Sequence, residues 1–313
     1  MREPRCVQQI GQPRRDPGVG VGRVGSVNRR LVDRLAAEES RLVRILAVNQ
    51  GDESEIRKLL FAAVGDAHLG GAQRHPDMEE EDFMSAELEV VPAGRAREMG
   101  FDRSMIMSYG QDDRVCAYTS LVAMLEVENV EKTTCCLLVD KEEIGSVGAT
   151  GMQSKFFENT VAELINLNDG YSDIKLKRCL ANSRMLSSDV NAAFDPLYAE
   201  VFNKNSSSFM GHGVVFNKFT GRGGKSGSND ANAEYLASLR KIMDDNGVNF
   251  QMSELGKVDA GGGGTIAYIM ALYGMEVIDS GVAVLNMHAP WEVTSKADVY
   301  EAYKCYKAFL KDA

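Results

Sequence analysis

The sequence predicts an α/β fold, with a mixed, largely parallel central sheet flanked by helices. Two observations carry the prediction. From about residue 105 onward, amphipathic stretches alternate with short apolar runs, the pattern of strands joined by crossover helices. The chain has 313 residues, 44% of them hydrophobic and 26% charged, which suffices for a sizeable core and is too apolar for a disordered or fibrous protein.

Residues 1–30 hold seven arginines and three prolines without helical or strand periodicity, and read as a tail foreign to the rest of the chain. Leu31, Leu35, Leu42, Ile45 and Leu46 recur at helical spacing over 31–48, and 55–64 continues in that style, so the two read as amphipathic helices or as a helix and a strand. A glycine- and acid-rich connection over 65–82 leads to a strand over 83–91, closed by Pro92-Ala93-Gly94. Helices are then expected over 113–127, from 154 to 167, over 232–246, 265–273 and 296–310. Strands are expected over 133–139 (TTCCLLV, fully buried), 184–190, 248–252 and 276–284. The run Gly221 to Ser226 is not a P-loop, because Phe219 stands where that motif needs its first glycine. It reads as a Gly/Ser loop between a strand and a helix.

A net charge of −10, from 35 Lys+Arg against 45 Asp+Glu, disfavours a nucleic-acid partner and leaves a peptide, small molecule or metal as ligand. No apolar run approaches the roughly 18 to 20 residues that span a bilayer, so no membrane association is expected. The first 25 residues hold no apolar core of a secretory signal. The six cysteines show no CxxC pair and read as mostly buried thiols in a reducing cytoplasm.

In a parallel sheet, chemistry gathers at the C-terminal strand ends. Four candidates stand at such places. Glu142 and Glu143 come after the 133–139 strand, where one carboxylate can hold a metal while its neighbour moves a water proton; an acidic turn reads the same way. Asp189 closes the 184–190 strand, and His288 lies just past an apolar one, a place where structural histidines are also found. Asp112 and Asp113 precede a helix, where an N-cap is the plainer account. Together Asp, Glu, Asp and His form the mixed O/N set that zinc, cobalt or manganese accept.

The strings DKEEIGSVGATGMQSKFFENTV, SSDVNAAFDP, GGGGTIA and VLNMHAPWE, with SAELEVVPAGRAREMGFDRSMIMSYGQDDRVCAYTSL before them, resemble the aspartyl aminopeptidase family of dinuclear metallo-aminopeptidases, bacterial type. The resemblance runs from about Val27 to the C-terminus. It implies Asp112 as the aspartate bridging two metals, Glu143 and His288 as ligands of one, Asp189 as ligand of the other, and Glu142 as general base. Lys218, Gly264 and Thr265 fall where the family meets substrate; for the glycines a flexible lead into a helix reads equally well. The implied reaction removes the N-terminal residue of a peptide, Asp or Glu by the family name. The implied metal is zinc, with cobalt or manganese as alternatives, and the implied assembly a homo-oligomer of dimers, up to a dodecamer.

The departures matter as much. The family carries a His-x-Asp motif on an earlier strand, and 111 residues precede Asp112 here. His75-Pro76-Asp77 spells the motif but lies in an acidic loop without a preceding apolar strand, so His75 is not expected to be a ligand, though His68 and His75 would be the first substitutes to search. Ser26 stands where a histidine of the family's inserted dimerisation domain would precede Val27-Asn28-Arg29. The resulting expectation is a non-family tail over 1–26, a partial dimerisation domain over 27–104, and a catalytic domain over 105–313 that lacks its leading strands. Such a chain would hold one metal rather than two. Alongside the active peptidase stands an impaired or inactive relative that acts, if at all, through assembly with other subunits.

Overall fold

The structure is a computed structural model that describes residues 94–313, apart from 223–225, 255, 256 and 258–261, together with 85, 91 and 92. The tail, the elements expected over 31–48 and 55–64, Ser26, His68, His75, and all of the 83–91 strand but its residues 85 and 91 lie outside the described residues. The chain divides into two compact units, Met1–Gly94 and Arg95–Ala313. The second contains every element described below.

It opens with a hairpin of β1 (Arg97–Met99) and β2 (Met105–Ser108), antiparallel, turned by Gly100 at φ 90° and closed where Arg103 N–H donates to the Gly100 carbonyl at 3.1 Å. The later strands are β3 (Arg184–Ser188), β4 (Asn191–Ala192), β5 (Val214–Arg222), β6 (Ser226–Asp230), β7 (Phe250–Glu254), β8 (Glu276–Gly281), β9 (Ala283–Leu285) and β10 (Glu292–Ser295). They form two sheets, one ordered β1-β2-β10-β9-β4 and the other β3-β8-β5-β6 with β7 also on β5. In the second sheet β3–β8 and β5–β7 are parallel, while β8–β5 and β5–β6 are antiparallel.

Helices α1 (Gln111–Glu126), α2 (Phe156–Asp169), α3 (Asp173–Ala181), α4 (Ala233–Asp245), α5 (Ala267–Ala271) and α6 (Lys296–Asp312) cover this second sheet on both faces. The pleat of the strands decides which face each residue serves. Ile278 and Leu186 join Leu239, Met243, Ala302 and Tyr306 on one side. Their chain neighbours Val277 and Met185 join Leu176, Leu180 and Met270 on the other. Side chains cap two of the helix starts: Ser172 accepts from Lys175 N–H before α3, and Ser295 from Asp298 N–H before α6.

Three expectations change on folding. The single strand expected over 276–284 is two: β8 lies in the second sheet and β9 in the first, and parallel β3 and β4 switch sheets at the same level. Gly281 permits this, since a Cβ there would sit 1.7 Å from the Asp189 carbonyl oxygen. Gly221, Arg222 and Ser226 of the run Gly221 to Ser226 lie in the antiparallel strands β5 and β6, which pair Arg222 with Ser226, so the run is not a strand-to-helix loop. The third change is at 133–139, which is not a strand and has no ladder partner among the described residues. Leu137 and Val139 reach the core on α2, α3 and α5, while Cys135 and Leu138 are exposed. Composition alone makes an extended chain; a strand also needs a neighbour. Cys179 is exposed as well, and only Cys116 and Cys305 among the described cysteines are buried.

Candidate metal centre

Asp112 stands just inside α1, but it and Asp113 have non-helical backbone angles, so the regular helix begins after them. The N-cap account therefore holds for Asp113, which accepts hydrogen bonds from Cys116, and leaves Asp112 turned elsewhere. Glu142 and Glu143 sit in a 3₁₀ turn, Glu142–Ile144, pinned by Gly145 N–H to the Glu142 carbonyl at 2.8 Å and Ser146 N–H to the Lys141 carbonyl at 2.7 Å. His288 lies between β9 and β10 with φ at 65°, a left-handed conformation uncommon for residues that carry a Cβ.

These three segments converge. His288 Nε2 is 2.9 Å from Asp112 Oδ2 and 3.3 Å from Glu143 Oε2. Ligands about 2.0 to 2.1 Å from a tetrahedral zinc stand about 3.3 Å apart, so this spacing suits one ion between the three donors. A second group, Asp112, Asp113 and Asp189, offers donor atoms within 4.8 Å of one another. Asp113 Oδ1 is buried there without a hydrogen-bond partner, an orphaned acceptor that a cation would satisfy.

Negative charge crowded into a half-buried site raises every carboxyl that loses water. Burial, and then the charge of Glu143, push Asp112 up to about 6, with His288 opposing. Burial, Glu143 and Asp112 push Glu142 up to about 7. Asp189 and Asp113 are held well above the usual carboxylate range, chiefly by burial and then by the negative charges around them. Such a constellation favours either protons or a divalent cation.

The remaining expected residues stand apart from both groups. Lys218, half-buried on β5, is ion-paired across the hairpin with Asp230 of β6. Gly264 lies against that hairpin: a Cβ there would come 2.6 Å from the Gly227 carbonyl, and Gly221 N–H donates to the Gly263 carbonyl at 2.8 Å. Thr265 is buried, its hydroxyl on Asp279 and 3.0 Å from Ser187 Oγ. Asp279 also accepts from Thr220 Oγ1 at 3.0 Å, and its charge helps raise Glu142.

Two residues of the centre are not distinguished by sequence. Asp113 reads there as a cap alone, and its second oxygen becomes visible only with Asp189 beside it. Glu292 is 1% exposed and accepts main-chain N–H groups from Gln111 at 2.5 Å, Asp112 at 3.1 Å and His288 at 2.9 Å. Its one signal is an acidic residue four places after His288 at the head of an otherwise uncharged strand.

Comparison with known proteins agrees in direction. The pattern of the aminopeptidase I zinc metalloprotease (M18) family matches residues 37–310. A probable M18 family aminopeptidase 1 of Clostridium acetobutylicum is 65% identical over 236 residues, covering 75% of this chain and 51% of that one. The Thermotoga maritima protein of the same name is 46% identical over 233 residues, 74% of this chain and 51% of its own. The chain thus spans about half the length of the curated relatives it matches. The crystal structure of the Clostridium acetobutylicum aminopeptidase I superposes with a TM-score of 0.73 at 52% identity, over 95% of this chain and 64% of that one. That of the Thermotoga maritima M18 aminopeptidase gives 0.74 at 40% identity, over 85% and 58%. The chain belongs to the aminopeptidase I zinc metalloprotease (M18) family.

Proposed function

We propose that the chain is a metal-dependent aminopeptidase that removes the N-terminal residue of peptides, with Glu142 as general base and Asp112, Glu143 and His288 as the principal ligand set. The observation that carries this reading is the convergence of Asp112 Oδ2 and Glu143 Oε2 on His288 Nε2. Zinc is the natural guest of two carboxylates and an imidazole, with cobalt or manganese as alternatives. When bound, such an ion supplies a Lewis acid for the carbonyl and a nucleophilic hydroxide at neutral pH.

The protein's own part is proton handling and orientation. Glu142 is adjacent to a ligand without belonging to the ligand group, so it is free to take a proton from water and deliver it to the leaving amine. Lys218, Gly264 and Thr265 are proposed on the substrate side, where the hairpin and glycine loop they belong to would present main-chain groups to a peptide. Thr265 would act there by fixing the loop, since its hydroxyl is already engaged.

One observation favours the impaired relative as a second reading. The Asp112, Asp113 and Asp189 group contains no imidazole among the described residues, and a carboxylate-only set holds transition metals more weakly. We infer one firmly bound ion per chain and a second that binds weakly. Self-association, a cytoplasmic location, and the division into a dimerisation region over 27–104 and a catalytic region over 105–313 belong to the same proposal. The test is purification with zinc or cobalt, metal analysis, and hydrolysis of aspartyl and leucyl amides with and without chelator. Chelator-sensitive hydrolysis is the expected result. Metal-free protein with full turnover, or no hydrolysis of any amide by the loaded protein, would reject the enzymatic reading.

A further inference from the structure

We propose that Glu292 is a positioning residue for the metal centre: it gathers the main chains of Asp112 and His288 and so presets the ligand pair without touching the ion. The inference rests on the metallopeptidase reading above. Its basis is the convergence of three N–H donors on one buried carboxylate. Glu292 Oε2 accepts from Gln111 at 2.5 Å and Asp112 at 3.1 Å, while Oε1 accepts from His288 at 2.9 Å. Two of those donors are the backbone of ligand residues, one of them 180 positions from Glu292 and the other four.

Each ligand segment needs such a restraint. His288 at φ 65° occupies a left-handed region unfavourable for a residue with a Cβ, and it holds there because its surroundings fix it. Asp112 departs from helical angles at a helix start, where N–H groups are otherwise unpaired. A carboxylate is the one side chain that accepts from all three donors and donates to none. Glutamine would turn an NH₂ group toward at least one N–H.

Glu292 is itself locked. Its residue pairs with Ser108 across the β2–β10 ladder, and its carbonyl accepts from Gln111 Nε2 at 2.7 Å. Gln111 in turn donates to the Ile106 carbonyl at 3.1 Å and accepts from Thr294 Oγ1 at 2.5 Å. The rigid element is therefore the β2–β10 pair, and Glu292 transmits its rigidity to the two ligand backbones. Burying a charge for structural purposes alone is a poor arrangement, because an apolar residue packs a strand end at lower cost.

The experiment compares zinc affinity, by competition with a chromophoric chelator, in the parent, Glu292→Gln and Thr294→Val. Thr294→Val loosens the same junction but leaves the carboxylate in place, so it reports what a merely structural role would do. Glu292→Gln is expected to weaken zinc binding about 10- to 100-fold and to alter the visible absorption of the cobalt-substituted protein. Thr294→Val is expected to lower the thermal midpoint of the metal-free protein while changing zinc affinity less than about threefold, since it removes one hydrogen bond away from the ligands. Should Glu292→Gln fail to fold, Glu292→Asp, which keeps the charge on a shorter stem, is judged by the same criterion. Unchanged zinc affinity and cobalt spectrum in the folded variant, or equal weakening by Thr294→Val, would overturn the assignment. A parent protein that binds neither zinc nor cobalt would overturn the metal reading beneath it, and is told apart by that first measurement.

Discussion

Glu142 and Glu143 are consecutive yet differ in circumstance: Glu143 is exposed and faces His288, whereas Glu142 is half-buried and pushed up to about 7. The base proposed above stands outside the proposed ligand group, so silencing it should leave the site filled. Glu142→Gln should lower turnover by about 10²- to 10⁴-fold with zinc content unchanged, measured by amide hydrolysis beside metal analysis. Asp279 makes a different prediction. It is 2% exposed, and burial, opposed by three hydroxyl donors, raises it from 3.8 to about 6. A raised carboxyl binds its proton more tightly folded than unfolded, so it favours the fold below about pH 4 and loses that advantage as pH rises through about 6. The span is worth on the order of 3 kcal/mol. Asp279→Asn should flatten the decline of metal-free stability between about pH 4 and about pH 6 in urea titrations, and an unaltered slope would assign it to other groups. Of these residues Glu142, Glu143, Asp112 and His288 stood out in the sequence because acids and a histidine fall at expected strand and helix ends, although the 133–139 segment before Glu142 is not a strand. Asp279 and Glu292 did not, since what distinguishes each is a set of three donors, most of them brought from distant segments.

Gly281 shows how an element is shaped by its neighbour. A Cβ there would overlap the Asp189 main chain at 1.7 Å, where β3 and β8 both leave the second sheet. Gly281→Ala should force the two strands apart, lower stability by roughly 1 to 3 kcal/mol and disturb the carboxylate of Asp189; denaturant unfolding and zinc-to-protein stoichiometry measure both effects. Helices α4 and α6 were legible to within a few residues, because Tyr235, Leu239, Ile242 and Met243 in one, and Ala302, Cys305 and Tyr306 in the other, recur at helical spacing on the buried face. The short helix α3 was not, its nine residues being too few to display a period against its lysines. Strands fared worse. The hairpin β5–β6 was hidden by its Gly/Ser composition, and 133–139 has the composition of a buried strand without a paired edge among the described residues. Composition states what a segment can become; partners decide what it is.

The described surface is more apolar than the charge count suggests. Tyr118, Leu121 and Leu125 line one face of α1 at 67%, 39% and 75% exposure, and Phe156, Leu164 and Leu167 are exposed on α2. A stripe of that kind marks an association surface or an aggregation liability. Leu125→Lys with Tyr118→Lys should therefore reduce self-association, read as sedimentation coefficient against concentration; an unchanged profile would locate assembly elsewhere. A mixed α/β fold with helix-flanked sheets was legible at this scale from alternation alone. The largely parallel pairing was not borne out, antiparallel pairs outnumbering parallel ones among the described strands, and the division into two sheets was not legible because it depends on where paired strands part company. That parting has a mechanical consequence. Asp112 and His288 hang from the sheet that contains β2, β9 and β10, while Glu143 comes after a segment anchored by Leu137 and Val139 to the layer over the other sheet. An ion drawn in among the three would act as a rivet through both plates, beside the core that β5, β8 and β9 already share with α6, and chelation would withdraw that one added link.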